Sequence, residues 1–158
     1  MRIVFTVLGT PQPGGSKRGF HIKALNRVVI TDANPRAKDW KAEVRSTARE
    51  AASGLSMDAD RLALLGDPLA LDVRFYFVRP KSHYGSGRNS TVLKKGAPRH
   101  HIQRPDVLKC TRLIEDALSK VIYVDDAQIV TECLCKLWAE PGEPARVEVV
   151  VSTLEENS

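Results

Sequence analysis

Apolar and polar positions along the chain repeat with two different periods. Alternation marks Arg2 to Leu8, where Ile3, Phe5 and Val7 share one side. It returns where Leu69, Leu71, Val73, Phe75 and Phe77 are spaced by Asp72, Arg74 and Tyr76. Both stretches predict half-buried strands, because successive strand side chains point to opposite faces. Gln128 to Trp138 predicts another, with Ile129, Thr131, Cys133, Cys135 and Leu137 on one face. Arg146 to Val151 predicts a last strand after the turn Glu140-Pro141-Gly142-Glu143-Pro144. Phe20 to Ala24 and Arg27 to Thr31 predict a hairpin around Leu25-Asn26. Helical spacing places Trp40, Val44, Ala48 and Ala51 on one stripe, with Asn34 as cap, Pro35 at the first helical position and Gly54 as terminator. The same spacing gathers Cys110, Leu113, Ile114, Ala117, Leu118 and Val121 on the buried face of a second helix. This order of elements predicts a two-layer α+β fold, a mixed β-sheet with two main helices packed on one face. One domain over residues 1–154 is expected, with a surface connection at 55–67, where Leu62, Leu64 and Leu65 are the candidates for a short buried turn. A frayed tail is expected at 155–158.

Charge sharpens the picture. Lys and Arg total 24 against 19 Asp and Glu, a net charge of +5, which points toward a polyanion. The excess is not spread evenly. Between Arg79 and Arg104 the chain holds Arg79, Lys81, Arg88, Lys94, Lys95, Arg99 and Arg104 with no acid, and Gly85, Gly87 and Gly96 predict a supple basic loop over 79–104. Long loops in compact domains are either functional or plain linkers, and cations in such a loop suit a nucleic-acid backbone. Lys81, Arg88, Lys94, Lys95, Arg99 and Arg104 are therefore DNA-binding candidates. Lys17 and Arg18, at the end of a Gly- and Pro-rich segment, read equally as backbone contacts or as part of a mobile turn. His100-His101 does not read as a metal pair, since adjacent residues of an extended chain point apart. No apolar run is long enough to span a membrane, and no signal peptide is read. Cys110, Cys133 and Cys135 make no even disulfide framework and read as reduced core thiols, with zinc a poor second, which fits a reducing cytosol.

The chemistry concentrates between Asp106 and Gln128. Pro105 and Asp106 suit the entrance of the second helix, where a carboxylate meets the positive end of the helix dipole. Asp125 and Asp126 follow its exit. A helix packed back on a sheet can bring both ends to one cleft, and clustered carboxylates in a basic protein suggest a hard divalent cation such as Mg²⁺ acting on phosphate. The plainer reading is that each Asp caps a helix, faces water or shapes a turn.

Arg104-Pro105-Asp106, then Arg112, then Asp116-Ala117-Leu118, then Asp125-Asp126-Ala127-Gln128 resemble the RusA-type Holliday-junction resolvases. The resemblance extends more weakly to Gly9-Thr10-Pro11-Gln12-Pro13 and the helix around Trp40. It implies a Mg²⁺-dependent endodeoxyribonuclease of DNA recombination and repair, with Mn²⁺ as the alternative ion. It also implies a homodimer that nicks a four-way DNA junction symmetrically, in the bacterial cytoplasm, encoded by phage or host. Carried over residue by residue, it implies Asp106 and Asp126 as catalytic metal ligands, Asp125 as ligand or neighbour, and Arg112 as the cation stabilising the transition state. The plainer role for Arg112 is an ion pair with Asp116 one turn on. One position departs from the family pattern: Leu108 stands where many members carry a ligand Asp. Glu115, in a place usually apolar, lies two turns further along the same face, about 10 Å away, and is the candidate replacement ligand; otherwise it is a solvent-facing acid. The alternative function is a junction- or branched-DNA-binding protein with weak or no cleavage.

Overall fold

The computed structural model describes residues 1–15, 17–32, 34–54 and 66–154. The bulk of the expected connection at 55–67 and the tail at 155–158 lie outside the described residues. A mixed four-stranded sheet runs in the order β1 (Arg2–Leu8), β6 (Arg146–Thr153), β4 (Leu69–Phe77), β5 (Ile129–Trp138). β1 and β4 both pair antiparallel with β6, whereas β4 and β5 are parallel. Parallel neighbours need a crossover. Here it consists of the basic loop and α2 (Val107–Leu118), which packs beside α1 (Ala37–Ser53) on one face of the sheet. The fold is α+β, as the periodicity predicts.

The core follows from the alternation. Ile3, Phe5 and Val7, Leu69 to Phe77 at odd positions, and Val147, Val149 and Val151 are buried. They meet Trp40, Val44, Ala48 and Ala52 of α1 and Cys110, Leu113, Ile114, Ala117 and Leu118 of α2. Trp40 is a core anchor and lies under Gly9, where φ is +125° and an added Cβ would come within 2.9 Å of the indole. Burial pushes the Cys110 thiol up to about 12, so it packs as an inert protonated group. The opposite sheet face carries Asp72, Arg74, Tyr76, Arg146 and Glu148, with the Arg146 guanidinium 3.9 Å above the Tyr76 ring and 2.8 Å from Glu148.

Three expectations change. α1 starts at Ala37, because Asn34 accepts a hydrogen bond from the Arg36 N–H at 3.1 Å and the intervening residues form a turn. The hairpin is longer than its apolar residues indicate: β2 (Lys17–Ile22) and β3 (Arg27–Asp32) form a separate two-stranded sheet. The expected single face of β5 is broken at its start: Thr131, Cys133, Cys135 and Leu137 share the outer face, but Ile129 lies on the core side. Its register slips against β4, Leu69 facing Ile129 but Ala70 facing Thr131. A bulge of this kind turns every later side chain over. Beyond it, Leu134 and Trp138 reach the core, and Glu132 and Lys136 share their side.

Candidate active site

The turn after α2 is built around a buried tyrosine. Tyr123 is fully enclosed, and its hydroxyl donates to the Glu115 carbonyl at 3.1 Å, which clamps the turn to the last coils of α2. Burial pushes the phenol well above its ordinary range. The Asp-Asp-Ala-Gln segment then closes on itself. Asp125 accepts from the Ala127 N–H at 3.0 Å. Gln128 Oε1 accepts from the backbone N–H groups of Val124 at 2.9 Å and Asp125 at 3.0 Å. Gln128 Nε2 donates to the Asp67 carbonyl at 3.1 Å, tying the turn to the start of β4. Asp125 is thus a cap, its carboxyl held below the usual value chiefly by the Ala127 N–H. Asp126 is exposed and close enough to Glu115 for their charges to repel.

The bulge in β5 completes the acidic group. It brings Glu132 into hydrogen-bonding contact with Glu115, across from the turn. Burial, then the charge and hydrogen bond of Glu132, then the charge of Asp126 push the Glu115 carboxyl up to about 7, while Arg112 works in the other direction. Two carboxyl groups in contact hold one proton between them more readily than two negative charges. Glu132 did not stand out in the sequence because it sits on the supposed outer face of a strand. The readable signal was the odd spacing between Ile129 and the core residues Leu134 and Trp138, which requires a bulge.

Asp106 occupies the other end of α2. It is the N-cap residue, but its side chain makes no capping hydrogen bond; its nearest ion pair is Lys109 at 3.7 Å. It precedes Glu115 by roughly 13 Å of helical rise. Asp106, Arg104 and Lys109 line a cleft of about 660 Å³ whose other wall is Thr10 to Gly15. That wall is fixed by Asn34, whose Nδ2 donates to Gln12 Oε1 at 3.1 Å and to the Pro13 carbonyl at 3.2 Å. It is fixed also by the Gly14 N–H, which donates to the Lys109 carbonyl at 2.8 Å. Gly14 lies so close to α2 that a Cβ would stand 2.9 Å from that of Leu113. Arg112 runs beside Gly15, and Asp116 pairs with Lys41 at 3.7 Å, leaving Arg112 beside Glu115. Leu108, 67% exposed, lies on the same side of α2 as Arg112 and Glu115.

Among the described residues no three His, Cys, Asp or Glu side chains are drawn together tightly enough to hold a metal ion as they stand. The structure brings together Glu115, Glu132, Asp126 and Arg112; it does not bring Asp106 to them. An all-oxygen carboxylate set of this kind suits a hard divalent cation, which can take the place of the shared proton.

The basic segment is anchored, which corrects the expectation of a supple loop. Arg79 is buried, with Nε donating to the Ala139 carbonyl at 2.9 Å and Nη1 to that of Pro98 at 2.7 Å. His101 is buried between Phe77 and Trp138, at ring distances of 4.1 and 4.3 Å, while His100 is exposed. Lys94 donates to the Ser82 carbonyl at 2.9 Å, so it braces the loop. Lys81, Arg88, Lys95, Arg99 and Arg104 are exposed, as are Lys17 and Arg18 on β2. Among the described residues no helix is long and apolar enough to cross a membrane.

Two comparisons with known proteins bear on the whole chain. Residues 9–152 match the family described as Endodeoxyribonuclease RusA. The chain is also 32% identical over 149 residues to the uncharacterized protein YqaN of Bacillus subtilis (strain 168), covering 94% of each sequence.

Proposed function

Because the chain belongs to the endodeoxyribonuclease RusA family, we propose that it is a divalent-metal-dependent nuclease that resolves four-way DNA junctions by paired symmetric nicks. The observation that carries this reading is the meeting of Glu115, Glu132 and Asp126 beside Arg112, in a chain that also exposes the cations of the segment leading into α2. Glu115, Glu132 and Asp126 would hold the ion, Mg²⁺ or Mn²⁺, with water completing the shell. When bound, such an ion supplies charge neutralisation at phosphate and a more acidic water. Arg112 is assigned to the non-bridging oxygens, where charge grows during displacement. Asp125 is assigned to shaping the turn. Asp106, with Arg104 and Lys109, is assigned to the cleft through which the strand approaches. Lys17, Arg18, Lys81, Arg88, Lys95 and Arg99 are assigned to the DNA backbone. A two-fold junction offers two equivalent phosphates, so a homodimer matches it with two equivalent sites.

The test is cleavage of a synthetic four-way junction with Mg²⁺ and with EDTA. Cutting is expected only with the metal, and Asp126→Asn should abolish it while leaving junction binding intact. Metal-dependent cutting by that variant would sink the assignment of Asp126. Tight binding without cutting in Mg²⁺ or Mn²⁺ would favour the second reading, a branched-DNA-binding protein. The exposed Leu108 beside Arg112, where the family pattern has an acid, is the feature that supports that reading.

A further inference from the structure

The segment from Arg99 to Asp106 joins the basic loop to α2, and it is held along its length by the end of β5. The Trp138 N–H donates to the Arg99 carbonyl at 2.9 Å, and the His101 N–H donates to the Lys136 carbonyl at 3.0 Å. Among the described residues no further backbone pairing continues the ladder past His101, and Ile102 is 92% exposed. The chain must nevertheless turn sharply to place Asp106 at the mouth of α2. One side chain spans this gap. The Lys136 ammonium donates to the Gln103 carbonyl at 2.6 Å and to the Pro105 carbonyl at 2.6 Å, and it stands 3.5 Å from His101 Nδ1. The two carbonyls flank Arg104, and the second immediately precedes Asp106.

We propose that Lys136 is a positioning residue that fixes Arg104 and Asp106 at the edge of the DNA cleft, acting through the carbonyls on either side of Arg104. The inference rests on the nuclease reading for its functional consequence, though not for its geometry. Three features make the ammonium suited to the task. Charge-assisted hydrogen bonds are short and about twice as strong as neutral ones. A lysine carries three donors on a compact head, enough for both carbonyls and a third acceptor. The bulge in β5 puts Lys136 on the helix side of the sheet, the side from which those carbonyls can be reached. His101, buried between two aromatic rings and beside this cation, has its protonation disfavoured, which leaves its ring able to accept. Lys136 points inward and is therefore set apart from Arg88, Lys95 and Arg99, whose side chains lie on the surface. Its loss should misplace the groups at the cleft without removing a phosphate contact.

The experiment compares Lys136→Met, which keeps the aliphatic stem, with Lys136→Arg, which keeps the charge. Junction affinity in EDTA, single-turnover cleavage at saturating junction and amide hydrogen exchange are measured for each. Lys136→Met is expected to keep most of its affinity for the junction, because the other exposed cations are untouched, yet to cut about tenfold more slowly or worse, because a strand guided askew through the cleft meets the reacting groups out of alignment. Its amides from 102 to 108 should exchange faster while those of β1, β4 and β6 stay protected. Lys136→Arg should recover part of both the rate and the protection. An unchanged cleavage rate in Lys136→Met, a loss fully explained by weaker binding, or faster exchange throughout the sheet would each overturn the proposal. Should the unchanged protein cut no branched DNA, the nuclease reading fails. The exchange measurement then decides alone: unaltered protection at 102–108 in Lys136→Met would reject the role of Lys136.

Discussion

The hairpin of β2 and β3 and the loop from 79 to 104 look alike as strings of residues. Both are cationic, and both contain glycine and scattered apolar side chains. They are opposites in the fold. The loop is tied down by a buried guanidinium, a histidine between two aromatic rings and an ammonium spanning two carbonyls. The hairpin exposes every residue of β2, and Phe20 and Ile30 are 50% and 67% exposed. Two strands without a third, or a helix to lean on, are marginal in water. The contrast teaches that positive charge alone does not distinguish a cation that serves the fold from one that meets solvent. Arg79 differs from Arg88 in the carbonyls within its reach, that of Ala139 just past β5 and that of Pro98 further along the loop.

Breaking the loop's anchor should have the largest effect. Arg79→Met would leave the Ala139 and Pro98 carbonyls without their charged donor, and a loss of about 2 kcal/mol in unfolding free energy is expected from urea denaturation. A cost near zero would mean that the loop holds without its guanidinium.

A smaller effect should come from pH. His101 has its pKa lowered, first by burial and then by the Lys136 charge. A base whose folded pKa is depressed stabilises fully above its unfolded value of 6.5 and loses that contribution as pH falls from there through its lowered folded value. Glu115 runs the other way. Its carboxyl is raised to about 7, so its contribution is complete below 4.5, the ordinary value, and fades as pH rises through about 7. Whole-protein melting therefore mixes two opposing slopes. His101→Phe keeps the ring stack and removes the proton. Across a descent from about pH 7.5 to about 5.5, the wild-type protein should lose melting temperature relative to this variant. A constant difference would show that His101 stays neutral or titrates without cost.

The smallest effect belongs to the hairpin. Phe20→Ser should change stability by no more than about 0.5 kcal/mol, since the side chain covers no core of its own chain. A loss as large as that of Arg79→Met would erase the contrast between the two segments.

Strands and helices were legible because each has one face in the core and one outside, and that difference is written at every second or every third and fourth position. Ile3 to Val7, Leu69 to Phe77 and Cys110 to Leu118 are such cases. Legibility failed where a residue's role depends on something distant. The reading of β5 went out of phase at one extra residue, which hid Glu132 and Lys136 on the helix side. Arg79 and His101 could not be told from surface cations, because the carbonyls and rings that enclose them come from other elements. Within the candidate site, the stretch from Asp106 to Asp126 was identifiable, and Glu115 was singled out by its displacement relative to Leu108. Its neighbour across the sheet was not, since the contact joins two segments with no common local pattern.

The parallel pairing of β4 with β5 also fixes the order in which the molecule acquires its abilities. A hairpin can zip up as soon as its turn exists, whereas this pair must wait for a connection of about fifty residues to fold back, at the entropic cost of closing so long a loop. Every carboxylate assigned to the metal lies in that connection or just beyond it, and Glu115 and Glu132 meet only after β5 docks. The exposed cations of β2, Lys17 and Arg18, need no such assembly, since among the described residues β2 pairs only with its hairpin neighbour β3. On the proposed function, a half-made chain would therefore meet nucleic acid with those cations before it could cut, and hydrolysis would be withheld until the last strand of the crossover is in place.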